Sequence, residues 1–271
     1  MLKQRILTAI ILIPLFVLCV LKLSGPNFCY LTGIITLWGA WEWSSFMGIN
    51  TIWRRLCYPV LVLLALYLTL FYLRIPDVLY AALLTWVVAL VLILFYPKLS
   101  GIWGKGIVLR GLMGILVLVP SWLAINFIRT AETGPYILLF LFVLIWGADS
   151  GAYFIGKKWG KHKLCPSVSP GKTWEGLAGA LITTVIISLL GLALGKTPYY
   201  IWPAALLLAV VTILFSVVGD LFESMMKRNV GLKDSGITLP GHGGILDRID
   251  SITAAAPIFA LGAMWLGRYY L

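Results

Sequence analysis

The sequence predicts an all-α, polytopic integral membrane protein with about nine transmembrane helices and a cytoplasmic N-terminus. Of the 271 residues, 61% are hydrophobic and only 11% are charged, whereas soluble domains carry about twice that share of charged residues. The apolar residues form continuous runs of spanning length, which indicates helices and not the alternating strands of a membrane β-barrel. The basic residues fall mostly on alternate connections between those runs, which predicts the orientation.

Nine apolar runs are long enough to cross a bilayer as helices. In chain order they lie at residues 6–22, 28–48, 56–73, 78–97, 108–128, 135–156, 174–195, 199–224 and 252–271. The first run follows Lys3 and Arg5, as a signal peptide would, but Leu21-Lys22-Leu23 stands where a small-residue cleavage site is needed. We therefore interpret the first run as an uncleaved span.

The distribution of Lys and Arg orients these nine segments. With a cytoplasmic N-terminus, 16 of the 21 basic residues lie on the cytoplasmic side and 5 on the other side. Cytoplasmic loops of membrane proteins carry such an excess, and a model with eight or ten spans would break the alternation. The net charge of +11 therefore reflects topology and, in the later loops, a basic basin for phosphates. It does not indicate a nucleic-acid partner.

The carboxylates of the second half gather near one membrane face. Seven of the ten acidic residues lie there, at or near cytoplasmic span ends or in cytoplasmic loops: Asp149, Glu175, Asp220, Glu223, Asp234, Asp247 and Asp250. Asp220 and Glu223 are three residues apart and so share a helix face. The same spacing joins Asp247 to Asp250. Carboxylate oxygens are the ligands that Mg²⁺ prefers, whereas solvated helix ends or ion pairs are the alternative.

Glu42 is the exception among the acidic residues. It lies inside the second apolar run, between Trp41 and Trp43. A charged side chain there is unfavourable in a membrane and needs a partner. A neighbouring helix or hydration near the interface would supply one.

A glycine-rich turn interrupts the polar segment 225–251, where residues 240–244 read Pro-Gly-His-Gly-Gly. Glycines let backbone N–H groups converge on an anion and let a phosphate approach closely. An ordinary turn after the proline is the alternative. The histidine, His242, would donate a hydrogen bond to a phosphate oxygen or would only satisfy the turn.

The other polar segment, 157–173, ends in Gly-Lys-Thr just before a predicted helix. It is not a P-loop, because Pro166 occupies the position of the first glycine of that motif. Ser169, Lys172 and Thr173 instead stand at a helix N-terminus, which attracts phosphate. Glu175 lies in the first turn, where its carboxylate either interacts favourably with the helix dipole or takes part in catalysis. The residues alone leave both roles open.

The polar segment before the last span resembles the signature of the CDP-diacylglycerol synthases (phosphatidate cytidylyltransferases), S-x-x-K-R-x4-K-D-x5-P-G-H-G-G-x-x-D-R-x-D. The matching residues are Ser224, Lys227, Arg228, Lys233, Asp234, Pro240, Gly241, His242, Gly243, Gly244, Asp247, Arg248 and Asp250. Upstream, G-A-D-S-G-A-Y-F-I-G-K and S-P-G-K-T-W-E-G also resemble that family. By motif the resemblance covers roughly residues 140–271.

The resemblance implies that CTP reacts with phosphatidate to give CDP-diacylglycerol and pyrophosphate, in a Mg²⁺-dependent reaction with room for a second cation. It implies an enzyme of the inner (cytoplasmic) membrane whose site opens to the cytoplasm and to the lipid layer. Asp220 and Asp247 match the residues that hold the metal centre, and we add Asp250. Crowded phosphates need cations to neutralise them, and an ionised lipid phosphate needs no strong general base.

The candidate site residues follow from these motifs. The catalytic candidates are Asp220, Asp247, Lys172, Lys227, Arg228, Arg248 and His242. The substrate-binding candidates are Ser169, Lys172, Thr173, Ser224, Gly241, Gly243, Gly244, Lys233, Asp149 and Glu175. The metal candidates are Asp220, Asp247 and Asp250.

Residues 135–271, with cytoplasmic loops 157–173 and 225–251, form the predicted catalytic region. Residues 1–134 form a scaffold that also offers contacts for a homodimer. The main alternative is a CTP-dependent lipid-alcohol kinase, in which Asp234 or Asp149 would act as general base. A transporter would show broken spans near the midplane and an internal repeat, and neither is visible in the sequence.

Overall fold

A computed structural model shows a bundle of long helices with one β-hairpin at one end. It describes residues 2–49, 51–236, 238 and 243–270. The helices are α1 (Leu2–Lys22), α2 (Gly25–Phe46), α3 (Ile52–Tyr72), α4 (Ile75–Leu94), α5 (Ser100–Trp103), α6 (Ile107–Thr130), α7 (Gly134–Trp159), α8 (Trp174–Leu194), α9 (Trp202–Asn229) and α10 (Leu246–Tyr270). The hairpin pairs β1 (Lys163–Cys165) with β2 (Ser169–Thr173).

Seven helices in the described ranges are long and apolar enough to cross a membrane, namely α3, α4, α6, α7, α8, α9 and α10. This confirms the prediction of a helical, multi-pass membrane protein. For α1, the stretch Ile13–Lys22 qualifies only as a shorter apolar helix, and α2 is not among the seven. Each predicted apolar run nevertheless overlaps one long helix.

Prolines mark where four of the long helices begin. Pro26, Pro76, Pro135 and Pro203 occupy the first turns of α2, α4, α7 and α9. At that position the fixed φ of proline suits a helix, and the missing N–H would have had no partner within the helix. These four helices follow short connections at one end of the bundle, where Arg129 of α6 donates hydrogen bonds to the carbonyls of Val20 and Leu23.

The longer and more polar connections meet at the opposite end. The Asn229 side chain donates to the carbonyl oxygen of Gly104 over 2.9 Å, which joins the end of α9 to the segment after α5. Arg228 reaches the carbonyl oxygen of Val168 in the hairpin over 3.5 Å. The chain therefore gathers its polar segments at one end.

Helix α10 lies at the centre of the bundle and packs against α9, α6, α4 and α7. Its residues 251–261 are all buried. Where α9 crosses α10, a Cβ on Gly219 would lie 2.6 Å from the carbonyl oxygen of Asp250, so only glycine permits this approach. The close crossing brings Asp220 and Glu223 of α9 within electrostatic reach of Asp250.

The structure departs from the sequence-based expectation at the polar end. The predicted loop 225–251 begins inside α9, which continues to Asn229, and it ends inside α10, which starts at Leu246. Apolar runs stop at the first charges, but a helix continues wherever those charges find partners. The hairpin within 157–173 was not predicted, although the helical class holds for the bundle as a whole. Such short strands show too little alternation to be read from sequence.

Candidate active site

A cavity of about 510 Å³ lies between α7, α8, α9 and the hairpin. Its apolar walls include Ala148, Ala152, Ala180, Ile213 and Val217. Its polar lining includes Asp149, Lys157, Lys172, Thr173 and Asp220. The cavity thus joins a hydrocarbon-like surface to charged groups, as an amphipathic ligand requires.

Lys172 and Asp220 form the central ion pair of this cavity. Lys172 Nζ lies 2.7 Å from Asp220 Oδ2, and their side chains are 25% and 32% exposed. Ser224 Oγ donates to Asp220 Oδ1 over 3.4 Å. Asp149, across the cavity on α7, interacts electrostatically with both charges. We call Asp149, Lys172 and Asp220 the cavity cluster, and its groups remain open to a ligand.

Neighbouring residues hold the hairpin that carries Lys172. Thr173 is the N-cap of α8, and its Oγ1 accepts a hydrogen bond from Gly176 N over 3.1 Å. The Glu175 carboxylate accepts from the backbone N–H groups of Lys161 and His162, and it lies 2.6 Å from His162 Nδ1. These contacts account for Thr173 as a helix cap and for Glu175 as a hairpin anchor.

A second set of charges lies between α9 and the start of α10. Lys227 Nζ lies 2.7 Å from Asp247 Oδ1 and 3.2 Å from Glu223 Oε2. The side chains of Lys227, Asp247 and Glu223 are 12%, 9% and 3% exposed. Asp250 interacts with Glu223 and with Asp220, and so connects these charges to the cavity cluster.

Asp247 also holds the chain that precedes α10. Its Oδ2 accepts hydrogen bonds from Gly244 N over 2.8 Å and from Ser235 N over 3.0 Å. The first N–H groups of a helix have no partner within the helix, and a carboxylate there also interacts favourably with the helix dipole. Asp247 therefore ties the segment before α10 to the helix itself.

The buried carboxylate of Glu42 completes this arrangement from α2. Glu42 is 1% exposed and accepts hydrogen bonds from the hydroxyls of Ser235 and Thr238, over 3.0 and 2.7 Å. It also accepts from the backbone N–H groups of Ile245 and Leu246, over 3.0 and 2.8 Å. We call Glu42, Glu223, Lys227 and Asp247 the anchor cluster.

Gly244 is required where these groups meet. A Cβ on Gly244 would collide with the Glu42 carboxylate and with Ser235 Oγ. The close approach to Glu42 therefore explains this glycine without any ligand, whereas the sequence suggested a phosphate contact. Gly243 lies against the carboxylate of Asp247.

The donor chemistry of the clusters fits a hard cation, because carboxylate oxygens dominate. Glu223 Oε1 is buried without a hydrogen-bond partner among the described residues, and it interacts electrostatically with Asp250 and Asp247. Over the same ranges, however, no three His, Cys, Asp or Glu side chains form a group that could hold a metal ion. The structure thus brings Asp220 and Asp250 near one another without assembling the three predicted ligands as a set.

The remaining predicted residues lie around these clusters. Lys233 and Arg248 are exposed, as is Arg228, which contacts the hairpin. Ser169 pairs with Cys165 in the hairpin and is not part of the cavity lining. Gly241 and His242 lie outside the described residues, so their roles stay predictions.

Sequence reasoning missed several residues that the structure places here. Tyr153 and Lys157 line the cavity, and they follow Asp149 by four and eight residues along a helix, which was a signal for a shared face. Glu223 was noted but not assigned to the site. Glu42 was recognised as a buried charge, although no local pattern indicated its partners.

Comparison with known proteins adds an independent observation. The sequence model of the cytidylyltransferase family matches residues 3–265. A protein from Pseudomonas aeruginosa named phosphatidate cytidylyltransferase is 44% identical over 267 residues, which cover 96% of each chain. A protein of the same name from Haemophilus influenzae is 38% identical over 282 residues, which cover 96% of this chain and 98% of that protein. The similarity therefore includes the helices of the bundle as well as the clusters.

Proposed function

The chain belongs to the cytidylyltransferase family, and we propose that it transfers the cytidylyl group of CTP to phosphatidate. The products are CDP-diacylglycerol and pyrophosphate, which makes the chain a nucleotidyltransferase of phospholipid biosynthesis. The names of the two full-length relatives support this reaction. The observation that carries it is the cavity, where apolar walls adjoin the Lys172–Asp220 pair.

The cavity suits a reaction between a lipid and a nucleotide. The acyl chains of phosphatidate lie along apolar helices, while its phosphate reaches Lys172 and Lys157 at the polar end. CTP approaches from the aqueous side, where Arg228 and Arg248 are exposed. Both substrates are anionic, so these basic residues offset the repulsion between their phosphates.

In the reaction, an oxygen of the phosphatidate phosphate attacks the α-phosphorus of CTP. A new P–O bond forms to that phosphorus as the bond to the β-phosphate oxygen breaks, and the electron pair leaves with pyrophosphate. The attacking oxygen is already ionised, so the chain mainly positions the two substrates and stabilises charge. Lys172 neutralises charge at the cavity, and Lys227 holds Asp247 in place from α9.

Mg²⁺ is the proposed cofactor, with Asp220, Asp247 and Asp250 as its carboxylate ligands and a second cation as an option. Asp247 would exchange its contacts with Lys227 and two backbone N–H groups for the metal. When bound, Mg²⁺ supplies positive charge to the nucleotide phosphates and to the leaving pyrophosphate. The carboxylate-rich donor set supports this choice of cation.

We also propose nine transmembrane helices, with the N-terminus and the site at the cytoplasmic face of the inner membrane. The 16-to-5 division of basic residues supports this orientation. The gathering of polar segments at one end of the bundle is consistent with it. Residues 1–134 remain the proposed scaffold, with homodimer contacts as part of that proposal, although Glu42 reaches into the catalytic region.

The test is pyrophosphate release by the purified protein in detergent micelles, given CTP and phosphatidate, with and without Mg²⁺. We expect release only when both substrates and the metal are present, with an equal amount of CDP-diacylglycerol. No release with phosphatidate, combined with nucleoside diphosphate release from CTP and a lipid alcohol, would contradict the proposal and favour a kinase. For variants of the two clusters in this assay, Asp77→Asn is a suitable control, because Asp77 is an exposed carboxylate at the start of α4, away from both clusters.

A further inference from the structure

We infer that Glu42 is a positioning residue for the reaction, although it lies on α2 and outside every motif of the catalytic region. Its carboxylate links Ser235 and Thr238, in the segment between α9 and α10, to Ile245 and Leu246 at the start of α10, and so fixes that start. This inference deepens the proposed function, on which its kinetic part rests.

The contacts of Glu42 are distributed over both of its oxygens. Oε1 accepts from Thr238 Oγ1 and Ile245 N, and Oε2 accepts from Ser235 Oγ and Leu246 N. Two donors therefore lie within the segment between α9 and α10, and two lie at the start of α10. A single side chain from a distant helix thus holds two parts of this segment together. Its donors lie 193 to 204 residues away in sequence.

The arrangement requires an anion and not only a polar side chain. All four partners donate hydrogen bonds to Glu42, so the NH₂ group of a glutamine would face two donors without an acceptor. Burying a carboxylate is unfavourable unless it is fully hydrogen-bonded, and here both oxygens are satisfied. Hydrogen bonds to an ionised group are also stronger than those between neutral groups.

Glu42 and Asp247 divide between them the backbone amides just before and at the start of α10. Asp247 accepts from Gly244 N, and Glu42 accepts from the next two, Ile245 N and Leu246 N. Ser235 contacts both carboxylates, through its N–H to Asp247 and through its hydroxyl to Glu42. Any displacement of the segment at Glu42 therefore moves Asp247 and the lysine paired with it.

The test compares Glu42→Gln with the matched control Thr36→Val, a buried residue of the same helix whose hydroxyl bonds only within α2. In Glu42→Gln we expect faster hydrogen exchange of the amides at 243–250 and unchanged exchange in α7 and α8. We expect kcat per folded enzyme to fall roughly 10- to 100-fold, the scale of a small misplacement of catalytic groups. KM for both substrates should stay near the native values, and Thr36→Val should change neither measurement.

Two further variants separate positioning from folding. Glu42→Asp keeps the charge and should recover part of the lost kcat, whereas a merely structural role would lower the folded fraction and leave kcat per folded enzyme unchanged. If Glu42→Gln does not fold, Ser235→Ala removes one donor without altering α2 and should give the same changes at smaller size. Native exchange and native kcat in these variants would overturn the inference.

The exchange measurement also separates this inference from the proposed reaction. If the native chain releases no pyrophosphate from CTP and phosphatidate, the proposed function fails. Faster exchange at 243–250 in Glu42→Gln would still establish the anchor in that case.

Discussion

The cavity cluster and the anchor cluster lie at the same end of the bundle, but the chain satisfies their charges to different degrees. In the cavity cluster, Lys172 and Asp220 pair with each other and keep a quarter to a third of their side-chain surface open. In the anchor cluster, Asp247 accepts from two backbone N–H groups besides its lysine, and Glu42 accepts from four donors. One cluster faces a cavity, and in the other the protein itself supplies the hydrogen-bond donors of Glu42 and Asp247.

The carboxylates near the cavity therefore fall into two groups, one open to a ligand and one that holds the backbone. A partly exposed charge exchanges its partner for a substrate or a cation at little cost in stability. A buried charge that is fully hydrogen-bonded stabilises one backbone arrangement, and loss of its partner leaves an uncompensated charge. Substitutions should therefore separate activity from stability according to cluster.

Among the substitutions considered, Asp220→Asn in the cavity cluster should cause the largest loss of turnover. We expect a loss of about 10³-fold in turnover, the upper scale for removing one preorganised electrostatic group. The melting temperature should change little, because Asp220 is partly exposed. Pyrophosphate release and thermal unfolding check the two parts, with Asp77→Asn as control. Turnover near the native rate with Mg²⁺ would contradict the proposed metal site.

Asp247→Asn should lower both the turnover and the stability of the protein. Because Asp247 is nearly buried and pairs with Lys227, we expect the free energy of unfolding to fall by roughly 3 kcal/mol. Turnover should fall as well. If Asp247→Asn and Asp220→Asn unfold at the same temperature, the two clusters do not differ in their contribution to stability, which would contradict this prediction.

Lys172→Met should have the next largest effect. We expect kcat/KM to fall about 100-fold, because the hairpin would no longer present a positive charge to the phosphates. Lys172→Arg should retain part of the activity. Lys158→Met serves as the control, since Lys158 is exposed on α7 and stacks on Trp159. Steady-state kinetics at low and high CTP would check this, and equal losses in the two Met variants would contradict it.

Glu175→Gln should have the smallest effect. Its carboxylate anchors the start of the hairpin through His162 and Lys161, and exposed ion pairs of this kind contribute little. We expect kcat/KM to fall about 3-fold, as for a weak surface interaction. A 100-fold loss in the same assay would instead support direct substrate binding by Glu175.

Much of the fold and part of the site follow from local sequence. Continuous apolar runs predict long helices, because a bilayer forces the backbone to satisfy its own hydrogen bonds, and each predicted run overlaps a helix. The separation of Asp220 from Glu223 indicated a shared face because helical geometry is local. Lys172, Asp149 and Asp220 were candidates by residue type, and the cavity unites them.

Composition and periodicity thus predict the membrane class, the approximate helices and the candidate residues of the site. Which carboxylates face the cavity and which bind the chain's own backbone is visible only in the packed bundle. Asp220 and Asp247 look equivalent in sequence, yet one lies at the cavity and the other binds backbone amides. Glu42 acquires its partners through the packing of α2 against the start of α10. Burial and hydrogen bonding between distant segments depend on that packing, whereas composition and periodicity do not.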